Sequence, residues 1–271
     1  KPNHGVGYVS TNCADKSFNK QCNPKFGFCL NGRRFVPVDL LDVAGLVPGA
    51  HEGKGMGNQF LEDLRPADVL IHVIDISGGT NEKGEAVDAG SYDPANDVKF
   101  LEVELDMWYY QIMKKGWDKF ARTITAEKKP IHIALAKQLS SLKVDEDMVK
   151  FEIRKLGLNE DPIKWNEEDL KNLASGLRKT TKPIIIACNK GDVETSKDNF
   201  DRLQDLFKDY RFILCSADYE FALREAAKSG LIEYVAGESD FKIIGEVNDK
   251  QKSALDVIKN YLDKFGSTGV Q

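Results

Sequence analysis

Three short apolar runs, Val69 to Ile76, Pro183 to Cys188 and Phe212 to Cys215, are rich in β-branched or bulky residues on both pleat faces and stop at polar clusters. Strands of that kind belong to a sheet covered on both sides, usually parallel. An α/β fold follows, and open α/β sheets bind ligands beyond the carboxyl ends of their strands. Two earlier stretches, His4 to Ser10 and Arg34 to Leu41, read as an antiparallel pair at a sheet edge. They are joined by a long loop containing asparagine, lysine and cysteine that turns at Asn31-Gly32.

Between the runs at Val69 and Pro183 the periodicity changes. Val98, Leu101, Leu105, Trp108 and Ile112 recur at alternating steps of three and four, as in the buried seam of a helix. The pattern resumes with Ile131, Leu135, Leu139 and Leu142. Asn166, followed by Glu167, Glu168 and Asp169, then has the form of a capped helix start before Leu170, Leu173 and Leu177. A parallel crossover needs only about a dozen residues, so this stretch is expected to be an all-helical insertion. It spans 97–181 and divides a domain into 1–96 and 182–271. A last helix, Gln251 to Phe265, presents Leu255, Ile258, Leu262 and Phe265 on one face and stops at Gly266.

A chain of 271 residues that is 41% hydrophobic and 30% charged can bury a substantial core. Its net charge of -5 supplies no cationic field for DNA or an anionic membrane. The apolar runs are too short to span a bilayer and no charged-then-apolar leader opens the chain, so a cytoplasmic location is expected. Of the five cysteines, Cys188 and Cys215 lie in strand patterns as small hydrophobes. Cys13, Cys22 and Cys29 lie in or beside a polar loop with no C-x-x-C pair and no nearby histidine except His4, which reads as reduced loop thiols rather than zinc.

Two tetrapeptides carry the chemistry. Asp42-Val-Ala-Gly45 closes a strand, where a carboxylate can hold Mg²⁺ through water and Gly45 can bring its amide to a γ-phosphate. Asn189-Lys-Gly-Asp192 closes another. Asp192 can accept from both N1-H and the exocyclic N2-H₂ of guanine, a donor pair that adenine lacks, so a site built this way rejects adenine. Asn189 would tie loops together, and the stem of Lys190 would lie over the base. Ser216 and Ala217, after the third run, offer backbone amides for guanine O6. The phosphate-cradling G-x-x-x-x-G-K-[ST] loop occurs nowhere in residues 1–271.

The stretch from Asp42 to Leu61, with its dense glycines from Gly49 to Gly57, resembles the signature of the Obg-like GTPases, and the flanking sequence resembles the YchF branch in its archaeal form. The resemblance covers essentially the whole chain. It implies a P-loop NTPase-type G domain with a helical insertion, GTP as ligand, Mg²⁺, slow GTP hydrolysis, and a partnership with the ribosome or translation factors. Set against the family order, the chain reads as an internal piece that lacks the phosphate loop and the C-terminal TGS domain.

Where Ras-like GTPases carry a water-orienting glutamine, this chain has Leu46. The resemblance places it among GTPases in which His51, a monovalent cation or a partner positions the water. His72, between Ile71 and Val73, reads instead as a histidine of the core or sheet surface. Bacterial and eukaryotic YchF-like proteins generally alter the guanine motif and prefer ATP. Asp192 is kept here, which points to GTP, with an ATP-preferring enzyme or a non-catalytic binding module as the alternatives.

Overall fold

The computed structural model describes residues 3–13, 22–30, 32–43 and 62–271. It forms two compact units, one of residues 43–72 and 95–185, the other of residues 3–42, 73–94 and 186–271. Gly45, Leu46, His51 and the stretch 49–57 lie outside the described residues.

The first unit is dominated by helices α1 (Ala95–Lys114), α2 (Trp117–Ala126), α3 (Ile131–Gln138), α4 (Glu146–Lys155) and α5 (Glu167–Thr181). In α1 the seam residues Val98, Leu101, Leu105 and Trp108 are buried, while Ile112 is half-buried and Met113 takes the inner position in the last turn. Leu135, Leu139, Leu142, Leu170, Leu173 and Leu177 complete the core. A reciprocal capping box starts α5: the Asn166 side chain accepts from the Asp169 amide at 3.0 Å, and the Asp169 carboxylate from the Asn166 amide at 2.9 Å.

The buried cations of this unit are paired. Arg178 on α5, with a side chain 1% exposed, donates to Asp106 at 2.6 Å and to Glu102 at 3.3 Å, both on α1. Buried Lys182 donates to the carbonyls of Arg65 and Ala67 at 2.7 and 2.5 Å. Burial pulls its ammonium down to about 8.

His72 is an exception. Its ring is drawn into the interior, Nδ1 has no hydrogen-bond partner among the described residues, and burial lowers its pKa to about 4. The expected satisfied histidine is therefore only half realised: it belongs to the structure, but its nitrogen is orphaned. Because the folded chain binds fewer protons than the unfolded one between about 4 and 6.5, stability present at neutral pH is lost as pH falls through that window. Urea unfolding at pH 7.5 and pH 4.5 is expected to show that His72→Phe loses about 2 kcal/mol less than wild type. An identical loss in both proteins would contradict this.

In the second unit, strands β1 (Asn3–Asn12), β2 (Phe28–Leu30) and β3 (Arg33–Asp42) form an antiparallel sheet in the order β1-β3-β2. The register runs from Asn3 opposite Asp42 to Asn12 opposite Arg33. The anticipated pair is thus present and longer than its apolar residues indicated, and β2 is an addition. Gly32, at φ +80°, takes the left-handed conformation in the tight connection from β2 to β3.

Strands β4 (Leu70–Asp75), β5 (Ile184–Asn189) and β6 (Arg211–Leu214) form a sheet in that order. The amide of Leu70 donates to Pro183 and that of Ile76 to Asn189, at 2.9 and 3.1 Å. Both pairs share one sequence offset, the signature of parallel strands. Burial on both faces fails on β4: Ile71 and Val73 are 57% and 62% exposed, whereas Leu70 and Ile74 are buried. The apolar run hid an ordinary alternation, because β-branched residues serve a pleated surface whether or not it is covered.

Helix α6 (Ser196–Leu206) joins β5 to β6, and after β6 come α7 (Ala217–Lys228), β7 (Ile232–Glu233), β8 (Lys242–Ile243) and α8 (Asp249–Phe265). Leu223, Ile232, Leu255, Ile258 and Leu262 make one apolar cluster. A capping box between Asn248 and Gln251 starts α8, and Gly266 at φ +81° ends it. No helix among the described residues is long and apolar enough to cross a membrane.

Candidate functional site

Strand β5 delivers Asn189 to its carboxyl end, and Lys190 follows in the left-handed conformation at φ +63°. That unusual backbone is pinned because the Lys190 carbonyl accepts from the Val193 amide at 3.1 Å and from Ser196 Oγ at 2.7 Å. Gly191 donates its amide to Cys215 at 2.9 Å. A Cβ on Gly191 would stand 2.9 Å from Leu214 side-chain carbons and from Tyr261 Oη, so a larger residue would push the turn off β6. Asn189 Oδ1 accepts from the Ala217 amide at 3.0 Å and ties the end of β5 to the start of α7.

Asp192 ends the turn half-buried, and its carboxylate makes no hydrogen bond or ion pair with a described residue. It bears on its surroundings through its charge. The Tyr219 phenol is raised first by burial and then by the Asp192 carboxylate. Tyr261, edge-on to Tyr219 with ring centroids 5.3 Å apart, is raised by the same two causes and by Cys215. The turn therefore presents a carboxylate acceptor with spare capacity beside two aromatic rings.

Asp75, at the end of β4, was not singled out in the sequence, although a carboxylate closing an apolar strand was a visible signal. It accepts from Lys190 Nζ at 2.6 Å, Thr80 Oγ1 at 2.6 Å, Ser77 Oγ at 2.5 Å and the Ser77 amide at 3.0 Å. Burial alone would raise its pKa, but these donors and the Lys190 charge outweigh that and hold the carboxyl below the usual carboxylate range. Lys190 Nζ also reaches Thr80 Oγ1 at 3.2 Å. With its ammonium anchored, the lysine stem becomes a fixed apolar surface rather than a mobile one.

The Ser-Ala loop differs from expectation. Ser216 is fully buried and spends its amide on the Thr268 carbonyl at 2.9 Å, and Ala217 spends its own on Asn189. Ser216 Oγ caps α7 through the Tyr219 amide at 3.3 Å. The Asp218 amide, in the same first turn, has no partner among the described residues and is the open donor. Sequence order identified the loop but could not tell which amide the fold leaves unspent.

Residues after α8 hold this loop from behind. Thr268 Oγ1 donates to Glu220 Oε2 at 2.6 Å, and the buried Glu220 also accepts from Tyr234 at 2.8 Å and Arg224 at 2.6 Å. Gly269, at φ +74°, lies so close that a Cβ would meet the Leu214 carbonyl at 2.0 Å. Asp42 ends β3 and is exposed.

This geometry is matched by known proteins. Across its whole length the chain is 50% identical to an uncharacterised GTP-binding protein of Methanocaldococcus jannaschii, of which it spans 68%. The chain belongs to the Obg-like GTPase family. Within it, residues 187–271 match the family model described as "Obg-like GTPase YGR210-like, G4 motif-containing domain", and residues 20–105 match "50S ribosome-binding GTPase". An uncharacterised GTP-binding protein of Schizosaccharomyces pombe is 33% identical over the full chain, which covers 68% of it. The crystal structure of a GTP-binding protein from Pyrococcus horikoshii OT3 superposes with a TM-score of 0.78 at 39% identity, covering 99% of this chain and 69% of that one. The Obg-like match to residues 187–271 takes in Asn189, Asp192 and Ser216 alike.

Proposed function

We propose that this Obg-like chain carries the base-reading part of a GTP-binding switch whose protein hydrolyses GTP slowly with Mg²⁺. The observation that carries the reading is the half-buried Asp192 carboxylate, which no described residue bonds and which could accept from the donor pair that guanine offers and adenine lacks. Asn189 fixes the loop, Lys190 anchored on Asp75 would supply its stem for the base, and the Asp218 amide would meet O6. Asp42 has the hard oxygen donor that Mg²⁺ takes and would hold the ion through water. Gly45 and the stretch 49–57 would sense the γ-phosphate, and His51, a monovalent cation or a partner would orient the attacking water in place of the residue at Leu46.

Grip on the triphosphate comes from a phosphate loop, and residues 1–271 contain no such motif. Alone, the chain is therefore expected to act as a weak base-binding module. The ribosome is the proposed partner, supported by the description of the family model that matches residues 20–105.

Calorimetry with GTP and ATP tests the reading, on this chain and on one extended at its N-terminus through a phosphate loop. The extended chain is expected to prefer GTP by about a hundredfold, the equivalent of about 3 kcal/mol. Equal affinities would contradict the GTP preference, and tighter binding of ATP would favour the ATP-preferring alternative. Tight GTP binding by residues 1–271 alone would contradict the division of labour.

A further inference from the structure

In the second unit, three cysteines at and beside the antiparallel sheet come together. Sγ atoms of Cys13, Cys22 and Cys29 all lie within 4.8 Å of one another, and none is in a disulfide. The register accounts for the approach of Cys13 to Cys29. Cys29 on β2 stands opposite Arg34 of β3, and Arg34 stands opposite Thr11 of β1, so all three point to one face. Cys13 follows Thr11 by two residues and continues on that face. The Cys13 amide, bonded to the Gly32 carbonyl at 2.8 Å, fixes the chain as it leaves β1.

We propose that Cys13, Cys22 and Cys29 form a binding site for one thiolate-preferring metal ion, with zinc as the resident. Three sulfur ligands select zinc or another soft ion and reject Mg²⁺ and Ca²⁺, which take oxygen. Zn–S bonds of about 2.3 Å in a tetrahedron place sulfurs about 3.8 Å apart, so closing the cluster needs shifts of about an ångström or less. Three thiolates around a dication leave one negative charge and one tetrahedral position, and among the described residues no fourth histidine, cysteine or carboxylate joins them. Water or an added ligand takes that position. His4 is excluded by distance, since nine residues of extended strand put it about 30 Å from Cys13. Sequence spacing does not mark the site, because there is no C-x-x-C pair and Cys13 and Cys29 converge through strand order β1-β3-β2.

Such an ion would link the end of β1 to β2 across β3 and so join segments that the backbone connects only through a long loop. The test uses the full chain, reduced and stripped with a chelator, then titrated with Co²⁺ and competed with Zn²⁺. One equivalent of Co²⁺ is expected to bind with a sulfur-to-cobalt charge-transfer band, and zinc is expected to displace it. Zinc should protect Cys13, Cys22 and Cys29 from iodoacetamide, read by mass spectrometry. Cys22→Ser and Cys29→Ser should each weaken zinc binding by at least about tenfold while keeping the wild-type circular dichroism. Failure of the reduced wild-type chain to take up metal at one equivalent would overturn the proposal. So would unchanged uptake by folded Cys22→Ser, or zinc binding that leaves the three thiols reactive.

Discussion

Replacing Asp192 with asparagine is expected to weaken GTP binding by about a hundredfold in a chain extended through a phosphate loop, and to transfer the preference to xanthosine triphosphate. The carboxylate is acceptor-only, whereas the amide must turn either its oxygen or its NH₂ to each position on the base edge. Against guanine, one NH₂ then faces a donor. Losing a charge-assisted pair and creating that clash costs about 3 kcal/mol, which is about two decades of affinity. Xanthine carries an oxygen where guanine has N2-H₂, so the same amide becomes complementary to it. Competition among GTP, XTP and ATP for one fluorescent probe measures the exchange. The anchored Lys190 and the tie from Asn189 to Ala217 are untouched by the substitution, so the turn should keep its shape. Unchanged GTP affinity in Asp192→Asn would contradict the assignment of the base edge.

Arg178→Ala is expected to produce the largest loss of stability, about 3 kcal/mol, at the lower end for breaking a buried pair. The guanidinium is 1% exposed, and removing it leaves Asp106, 23% exposed, without this cation, and Glu102, 26% exposed, with only the more distant Lys179 at 3.5 Å. Their partial access to water keeps the cost from rising further. Urea unfolding measures the loss. In the double variant Arg178→Met with Asp106→Leu, part of it should return, because an apolar pair avoids the desolvation that the ion pair must overcome. A loss below about 1 kcal/mol in Arg178→Ala would mean that the pair is screened like one on the surface.

Much of this fold was legible because it rests on local rules. Steps of three and four picked out Val98, Leu101, Leu105 and Trp108, and these line the inner face of α1. Asn166 and Asp169 gave away the start of α5, where both side chains are committed to the cap. Composition could not show that Ile71 and Val73 would face outward, since an apolar β-branched residue suits either side of a pleat.

Within the candidate site, the positions were legible and the spending of donors was not. Asn189 ties its loop to α7 as its place in the motif suggested. By contrast, the Ser216 amide is consumed by Thr268, a residue 52 positions away that only the path of the chain after α8 brings near. Asp75 and the cysteine cluster share that character. Asp75 depends on Lys190, which is distant in sequence, and the cysteines meet only once the strands pair; no short motif encodes either.

A crystal structure of the extended chain with GDP and Mg²⁺ tests the central claim most directly. Guanine N1 and N2 are expected to lie about 2.7–3.1 Å from the two Asp192 carboxylate oxygens, with O6 at the Asp218 amide and the Lys190 stem against the ring. A base seated elsewhere, or one that leaves Asp192 facing solvent, would contradict it.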